Sequence, residues 1–168
     1  MNPTFVIVMG VSGSGKSTIG KGLSAQTGWP FYDADDFHPA ANVAKMESGQ
    51  PLNDEDRWPW LDRLHQLITE HHEQNKSGIL ACSALKHVYR DRLGANLGDY
   101  VRFAYLDGDF SLIAERMSQR ANHYMPVSLL RSQFEALEVP EDAIRLDIAQ
   151  GPEEIILALK KALSLLES

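Results

Sequence analysis

Five apolar residues, Phe5-Val6-Ile7-Val8-Met9, run straight into Gly10-Val11-Ser12-Gly13-Ser14-Gly15-Lys16-Ser17. An apolar run of this length without polar alternation predicts a strand buried on both faces, which is the habit of strands in a parallel sheet. The residues after it have the G-x-x-x-x-G-K-S spacing of a phosphate-binding P-loop. Gly10, Gly13 and Gly15 let the backbone turn its N–H groups around an anion, with Val11, Ser12 and Ser14 between them. Lys16 supplies a mobile charge for the β- and γ-phosphates. Ser17 is placed to ligate Mg²⁺, and the helix expected from Lys16 through Thr18, Ile19, Leu23 and Ala25 adds its positive end.

The rest of the chain is organised as strands alternating with helices. Gly28 reads as the stop of the first helix, and Phe31-Tyr32 as a short strand ending in Asp33-Ala34-Asp35-Asp36. Those acids are either a solvated turn or the carboxylates that phosphoryl transfer needs for Mg²⁺ and for the acceptor's proton. Gly78-Ile79-Leu80-Ala81-Cys82 predicts a third strand, Tyr100–Leu106 a fourth that lies nearer an edge, and Ile144–Ile148 a fifth. Helical spacing is expected over Leu61–His72, from Lys86, over Leu112–Arg120 and over Leu129–Phe134. The last helix opens with Pro152 and two acids and carries Ile155, Ile156, Leu159, Leu163 and Leu166 on one stripe. No element is assigned to residues 37–49. Five parallel strands with helices on both faces make a three-layer α/β domain covering residues 1–168.

At a formal net charge of −7 the chain is not built for nucleic acid, and no apolar run reaches the length of a membrane span. The lone Cys82 excludes an internal disulfide and is read as a small core residue. These features point to a soluble cytoplasmic setting. Cations cluster locally all the same. Trp58, Trp60 and Leu61 read as core, while Arg57 between acids and aromatics offers a planar fork for a carboxylate or a bidentate hydroxyl pair. Lys86, Tyr89, Arg90 and Arg92 form either a solvated basic face or one aimed at an anionic substrate. Arg116 and Arg120 share a helix face and suit a lid that closes over a nucleotide, over about 116–127. His65, His71 and His72 are read as surface residues, without partners for a metal site.

Taken together, several segments resemble the gluconate kinase family of small-molecule P-loop kinases. They are Gly10–Thr18, Asp33–Pro39 with Asn42 and Lys45-Met46, Pro51–Leu61, Ala81–Lys86 with Tyr89-Arg90, His123–Pro126, and Ser132-Gln133-Phe134. Tyr124 stands where that family carries phenylalanine. The resemblance implies a P-loop kinase fold with a helical lid. It also implies ATP- and Mg²⁺-dependent phosphorylation of D-gluconate at its 6-hydroxyl in a cytoplasmic homodimer. By the same resemblance Asp33 would bind Mg²⁺ through water, and Asp35 would orient the hydroxyl and take its proton. Arg57, Lys86 and Arg90 would bind the gluconate, with His38 at the pocket wall. Arg116 and Arg120 would serve the lid, and Pro152 would border the adenine. Another acceptor, such as shikimate or a different sugar acid, and a slow ATP-hydrolysing switch are the competing readings.

Overall fold

A computed structural model describes residues 2–119 and 127–164. The elements follow the chain as β1 (Phe5–Met9), α1 (Lys16–Thr27), β2 (Phe31–Asp33), α2 (Ala40–Glu47), α3 (Asp54–Glu73) and β3 (Gly78–Ala81). They continue as α4 (His87–Leu93), β4 (Val101–Asp107), α5 (Phe110–Ser118), α6 (Val127–Ala136), β5 (Ile144–Asp147) and α7 (Pro152–Ala162). The five strands are all parallel, in the order β2-β3-β1-β4-β5.

The parallel order puts β1 at the centre, hydrogen-bonded to β3 and β4, with all five of its residues fully buried. Its pleat sends Phe5, Ile7 and Met9 into one core with Leu61, Leu64 and Ile68 of α3 and Leu93 of α4. Val6 and Val8 enter the other with Ile19 and Leu23 of α1, Ile113 of α5, Leu130 of α6 and Ile155, Ile156 and Leu159 of α7. At roughly 1.5–3 kcal/mol per buried apolar side chain, these five residues alone contribute on the order of 10 kcal/mol. That equals the net stability of a typical domain, so β1 and the loop leaving it are fixed in place. Because every strand runs the same way, the loops after β1, β2 and β3 all emerge at one edge of the sheet. Among the described residues, no helix is long and apolar enough to cross a membrane.

Two differences from the sequence reading have local causes. Helix α2 occupies residues that carry no clear apolar period, because it packs through one buried polar residue, Asn42, at 5% exposure. Helix α3 begins at Asp54 and not at Leu61. Its start is fixed by a capping box in which Asn53 Oδ1 accepts from the Asp56 N–H at 2.8 Å and Asp56 Oδ2 from the Asn53 N–H at 2.9 Å. Pro59 lies inside this helix, and the apolar period of the helix begins only after it, at Leu61. The cap brings Asp54 and Arg57 to the edge where the strand loops emerge. Asn53→Ala is expected to cost about 1 kcal/mol. In thermal unfolding that should appear as a melting temperature lowered by about 2–4 °C.

Candidate active site

The loop after β1 is held open by protein contacts on its outer side. The Gly10 N–H donates to Ser83 O at 3.3 Å, and the Ser14 N–H to Val11 O at 3.2 Å. Gly13 takes a left-handed φ of 81°, and a Cβ there would lie 2.7 Å from Met117 Cγ, so α5 rests directly on a residue that must be glycine. Gly15, at φ 101°, caps α1. The N–H groups of Gly13, Gly15, Lys16, Ser17 and Thr18 have no protein acceptor among the described residues. Five unspent donors at a helix start form a cradle for an anion. Lys16 Nζ donates to the carbonyls of Gly10 (3.0 Å) and Val11 (3.1 Å). Desolvation lowers its pKa, opposed by Cys82, Asp35 and Asp33. A poorly solvated ammonium gains more from an incoming phosphate than one in water would.

Asp33 ends β2 and caps a 3₁₀ turn over Ala34–Phe37, its Oδ1 accepting from the Asp35 N–H at 2.9 Å. Oδ2 has no donor among the described residues. Asp35 stands open to the cleft, its side chain 85% exposed. The surrounding protein still reduces its hydration, and this desolvation, followed by the charge of Asp33, raises its pKa from 3.8, against the pull of His38 and Lys16. A carboxylate so placed is a better proton acceptor than a free one.

His38 is buried beside it, stacked on Trp60 at 4.3 Å between ring centres, with Nε2 3.9 Å from Asp35 Oδ1. Trp60 is itself anchored by its Nε1–H on Ala34 O at 2.7 Å. Asn42 Nδ2 faces both Asp56 O (2.9 Å) and His38 Nδ1 (3.2 Å). Since the carbonyl can only accept, Nδ2 is the donor to both, which leaves the His38 proton on Nε2. Desolvation holds the His38 pKa below 6.5, with Asp35 pulling it up and Arg57 down, so the ring is a neutral donor facing the cleft. Asn42 was not assigned a role from sequence, and only its unexpected burial marks it.

Across the cleft Tyr89 O–H donates to Asp54 Oδ1, with Arg57 Nη1 at 3.8 Å and Lys86 Nζ at 3.6 Å from the same oxygen. Both cations also lie over the Tyr89 ring, at 5.5 and 5.6 Å from its centre. Two cations share one carboxylate, and the cluster keeps a net positive charge for a second. The Tyr89 hydrogen bond is the main cause holding Asp54 below its usual pKa, so Asp54 stays ionised and keeps the pair in place. Sequence placed Tyr89 and Asp54 in the relevant segments without a role, and the structure shows that they fix the two cations.

Arg90 departs from its expected role in the acceptor pocket. It is 6% exposed, and its guanidinium is engaged by Ala84 O (2.7 Å), Glu138 O (2.7 Å) and His87 Nδ1 (3.1 Å). Ala84 sits at φ 46°, a left-handed conformation that costs a residue with a Cβ. Arg90 thus braces the strained loop that carries Lys86. His71 also differs from its reading as a surface residue. It is half-buried between Tyr32 O–H (2.9 Å) and Leu67 O (2.8 Å), edge-on to Phe5. Cys82 is buried as expected, and burial pushes its thiol up to about 12. Arg116 lies half-buried on α5 beside Met117. Pro152 opens α7 beyond β5. Arg120 and His123–Pro126 lie outside the described residues, as does Leu166. No cluster of three or more His, Cys, Asp or Glu residues suited to a metal ion occurs among the described residues.

Comparisons with known proteins fall on this same geometry. The family model described as shikimate kinase matches residues 12–145. The thermosensitive gluconokinase of Escherichia coli is 50% identical over 146 residues, covering 84% of this chain and 78% of that one. A gluconokinase of Gluconobacter oxydans is 42% identical over 160 residues, covering 93% and 89%. The crystal structure of a gluconokinase from Sinorhizobium meliloti superposes with a TM-score of 0.85 at 41% identity, over 98% of this chain and 93% of that one.

The site makes a prediction about stability. A carboxyl whose folded pKa is raised contributes stability below its unfolded pKa, near 3.8, and that contribution is lost as pH rises through the folded value. Ionised Asp35 therefore weakens the fold slightly at neutral pH, most of the effect being screened by the solvent around its 85% exposed side chain. Asp35→Asn is expected to melt higher than the parent at pH 7, with the gap closing as pH falls toward 4, in paired thermal melts.

Proposed function

The chain belongs to the gluconokinase family, and we propose that it transfers the terminal phosphoryl group of ATP to the 6-hydroxyl of D-gluconate, giving 6-phospho-D-gluconate and ADP. One observation carries this reading most of all. The unspent N–H groups of the P-loop and the surplus charge of the Arg57 and Lys86 pair face the same sheet edge, one suited to a polyphosphate and the other to a carboxylate.

On this reading Gly13 and Gly15–Thr18 hold the phosphates of ATP through their N–H groups. Lys16 leaves the Gly10 and Val11 carbonyls for the β- and γ-phosphate oxygens as charge spreads over them in an in-line transfer. Ser17, at the start of α1, would ligate Mg²⁺, and the free oxygen of Asp33 would hold it through water. Bound there, the ion neutralises phosphate charge. Arg57 and Lys86 grip the gluconate carboxylate, and neutral His38 donates from Nε2 to a hydroxyl. Asp35 then accepts the proton of the attacking 6-hydroxyl, for which its raised pKa suits it. Residues 116–127 form the lid in this scheme, with Arg116 and Arg120 neutralising the transferring group, and Pro152 borders the adenine. A single domain over residues 1–168, a homodimer and a cytoplasmic setting belong to the same proposal. They rest on the family resemblance and, for the compartment, on the single buried cysteine.

Coupled ADP release with Mg-ATP tests the acceptor against D-gluconate, other sugar acids, shikimate and a control without acceptor. Turnover confined to gluconate is expected, and release indifferent to the acceptor would overturn the proposal. Lys16→Ala should fold and lose roughly a hundred- to thousandfold in kcat, the range for removing a preorganised donor. Arg57→Ala should raise the KM for gluconate about tenfold or more, as for a lost charge-assisted bond, while the KM for ATP stays near that of the parent.

A further inference from the structure

The apex of the P-loop is held from outside by a residue 121 positions away. The Ser12 N–H donates to Gln133 Oε1 at 2.7 Å, and Gln133 Nε2 donates back to Ser12 Oγ at 3.0 Å. A backbone N–H can only donate, so the amide orientation is fixed by the pairing itself. Gln133 thereby takes one N–H of the loop out of the set available to phosphate. The same bond fixes the residue immediately before Gly13, on which Met117 lies. The helices on either side of the lid segment, α5 and α6, thus land on neighbouring loop residues.

Gln133 is itself firmly mounted. Leu130, one turn earlier on α6, is 2% exposed, and Phe134 packs edge-on against Phe110 at 5.7 Å. Just past the helix the Glu138 N–H donates to Leu85 O at 2.8 Å, and Arg90 donates to Glu138 O at 2.7 Å. The Arg90 brace that holds the acceptor loop therefore also holds the end of the helix that carries Gln133.

We propose that Gln133 is a positioning residue for the nucleotide site. Its two hydrogen bonds to Ser12 set the P-loop apex in the form that receives phosphate, so its removal weakens nucleotide binding and leaves acceptor binding alone. This rests on the P-loop reading given above. A loop that must reorganise on binding loses affinity by the cost of that reorganisation.

The test compares the parent with Gln133→Met, which keeps the length and removes both bonds, with Ser12→Ala, and with the double variant. Mg-ADP affinity is measured by calorimetric titration without acceptor. KM values for ATP and gluconate and the melting temperature are measured alongside. Gln133→Met is expected to weaken Mg-ADP binding and raise the KM for ATP about tenfold, the scale of one or two net hydrogen bonds. The KM for gluconate should stay within about twofold, and the melting temperature within a few degrees. Ser12→Ala should shift nucleotide affinity the same way by less, and add nothing in the Gln133→Met background. Unchanged nucleotide affinity in folded Gln133→Met would overturn the proposal. So would a parallel rise in both KM values with a fall in melting temperature, which is the mark of a purely structural role. Should Gln133→Met not fold, Gln133→Asn, whose amide is one methylene short of Ser12, is read by the same criteria. A parent enzyme that binds Mg-ADP and does not phosphorylate gluconate would sink the acceptor assignment while the titration still decides Gln133. A parent that binds no nucleotide overturns both.

Discussion

A strand that buries every one of its side chains must have sheet neighbours along both edges and helices over both faces, and β1 meets that requirement at the centre of five parallel strands. Parallel neighbours need crossover connections, so each strand is followed by helix before the next begins. The catalytic consequence is positional. A turn leaving the least displaceable strand in the molecule is the one place where a glycine-rich loop, unable to hold its own shape, can be kept in register with other groups. The protein holds that loop from its outer side, through Ser83, Met117 and Gln133, and leaves its inward N–H groups unspent.

Charge follows the same division. The chain is acidic overall, at −7, yet the cleft must accept anions. Local surplus solves this. Lys16 works against a background of partial desolvation, and Arg57 and Lys86 outnumber the one carboxylate that fixes them. Asp54 costs the pair some of its pull. Without it, two mutually repelling cations would spread into solvent and lose their common direction. On the other wall, Asn42 and Trp60 orient His38 and fix its proton on Nε2, beside Asp35.

Sequence disclosed the parts whose pattern is local. The five strands stand within a residue or two of their expected limits, and the P-loop is unmistakable because its glycines and its lysine are contiguous. Gly28 ends α1 as its left-handed φ of 78° requires. What stayed hidden depends on pairing across distance. Arg90 looks like its cationic neighbours until Ala84 and Glu138 are seen to consume its donors. Gln133 is an ordinary polar residue on a helix, and nothing near it in the chain announces Ser12, 121 positions away, as its partner. Asn42 stands only four residues after His38, but its second partner, the Asp56 carbonyl, lies on another helix. The early start of α3 precedes the apolar period that begins at Leu61, and it is set by the capping box at Asn53, with Pro59 accommodated inside the helix. His71 was misplaced because its partner Tyr32 lies on a separate strand.

The chain's single thiol lies beside Lys16 at the centre of this machinery. Burial holds Cys82 at about 12, even though the lysine charge pulls the other way. Nucleophilic sulfur chemistry proceeds through the thiolate, which at neutral pH is then a vanishing fraction of the population. The thiol beside Lys16 therefore acts as a small apolar side chain that fills the core under the loop, and it offers little thiolate to an electrophile.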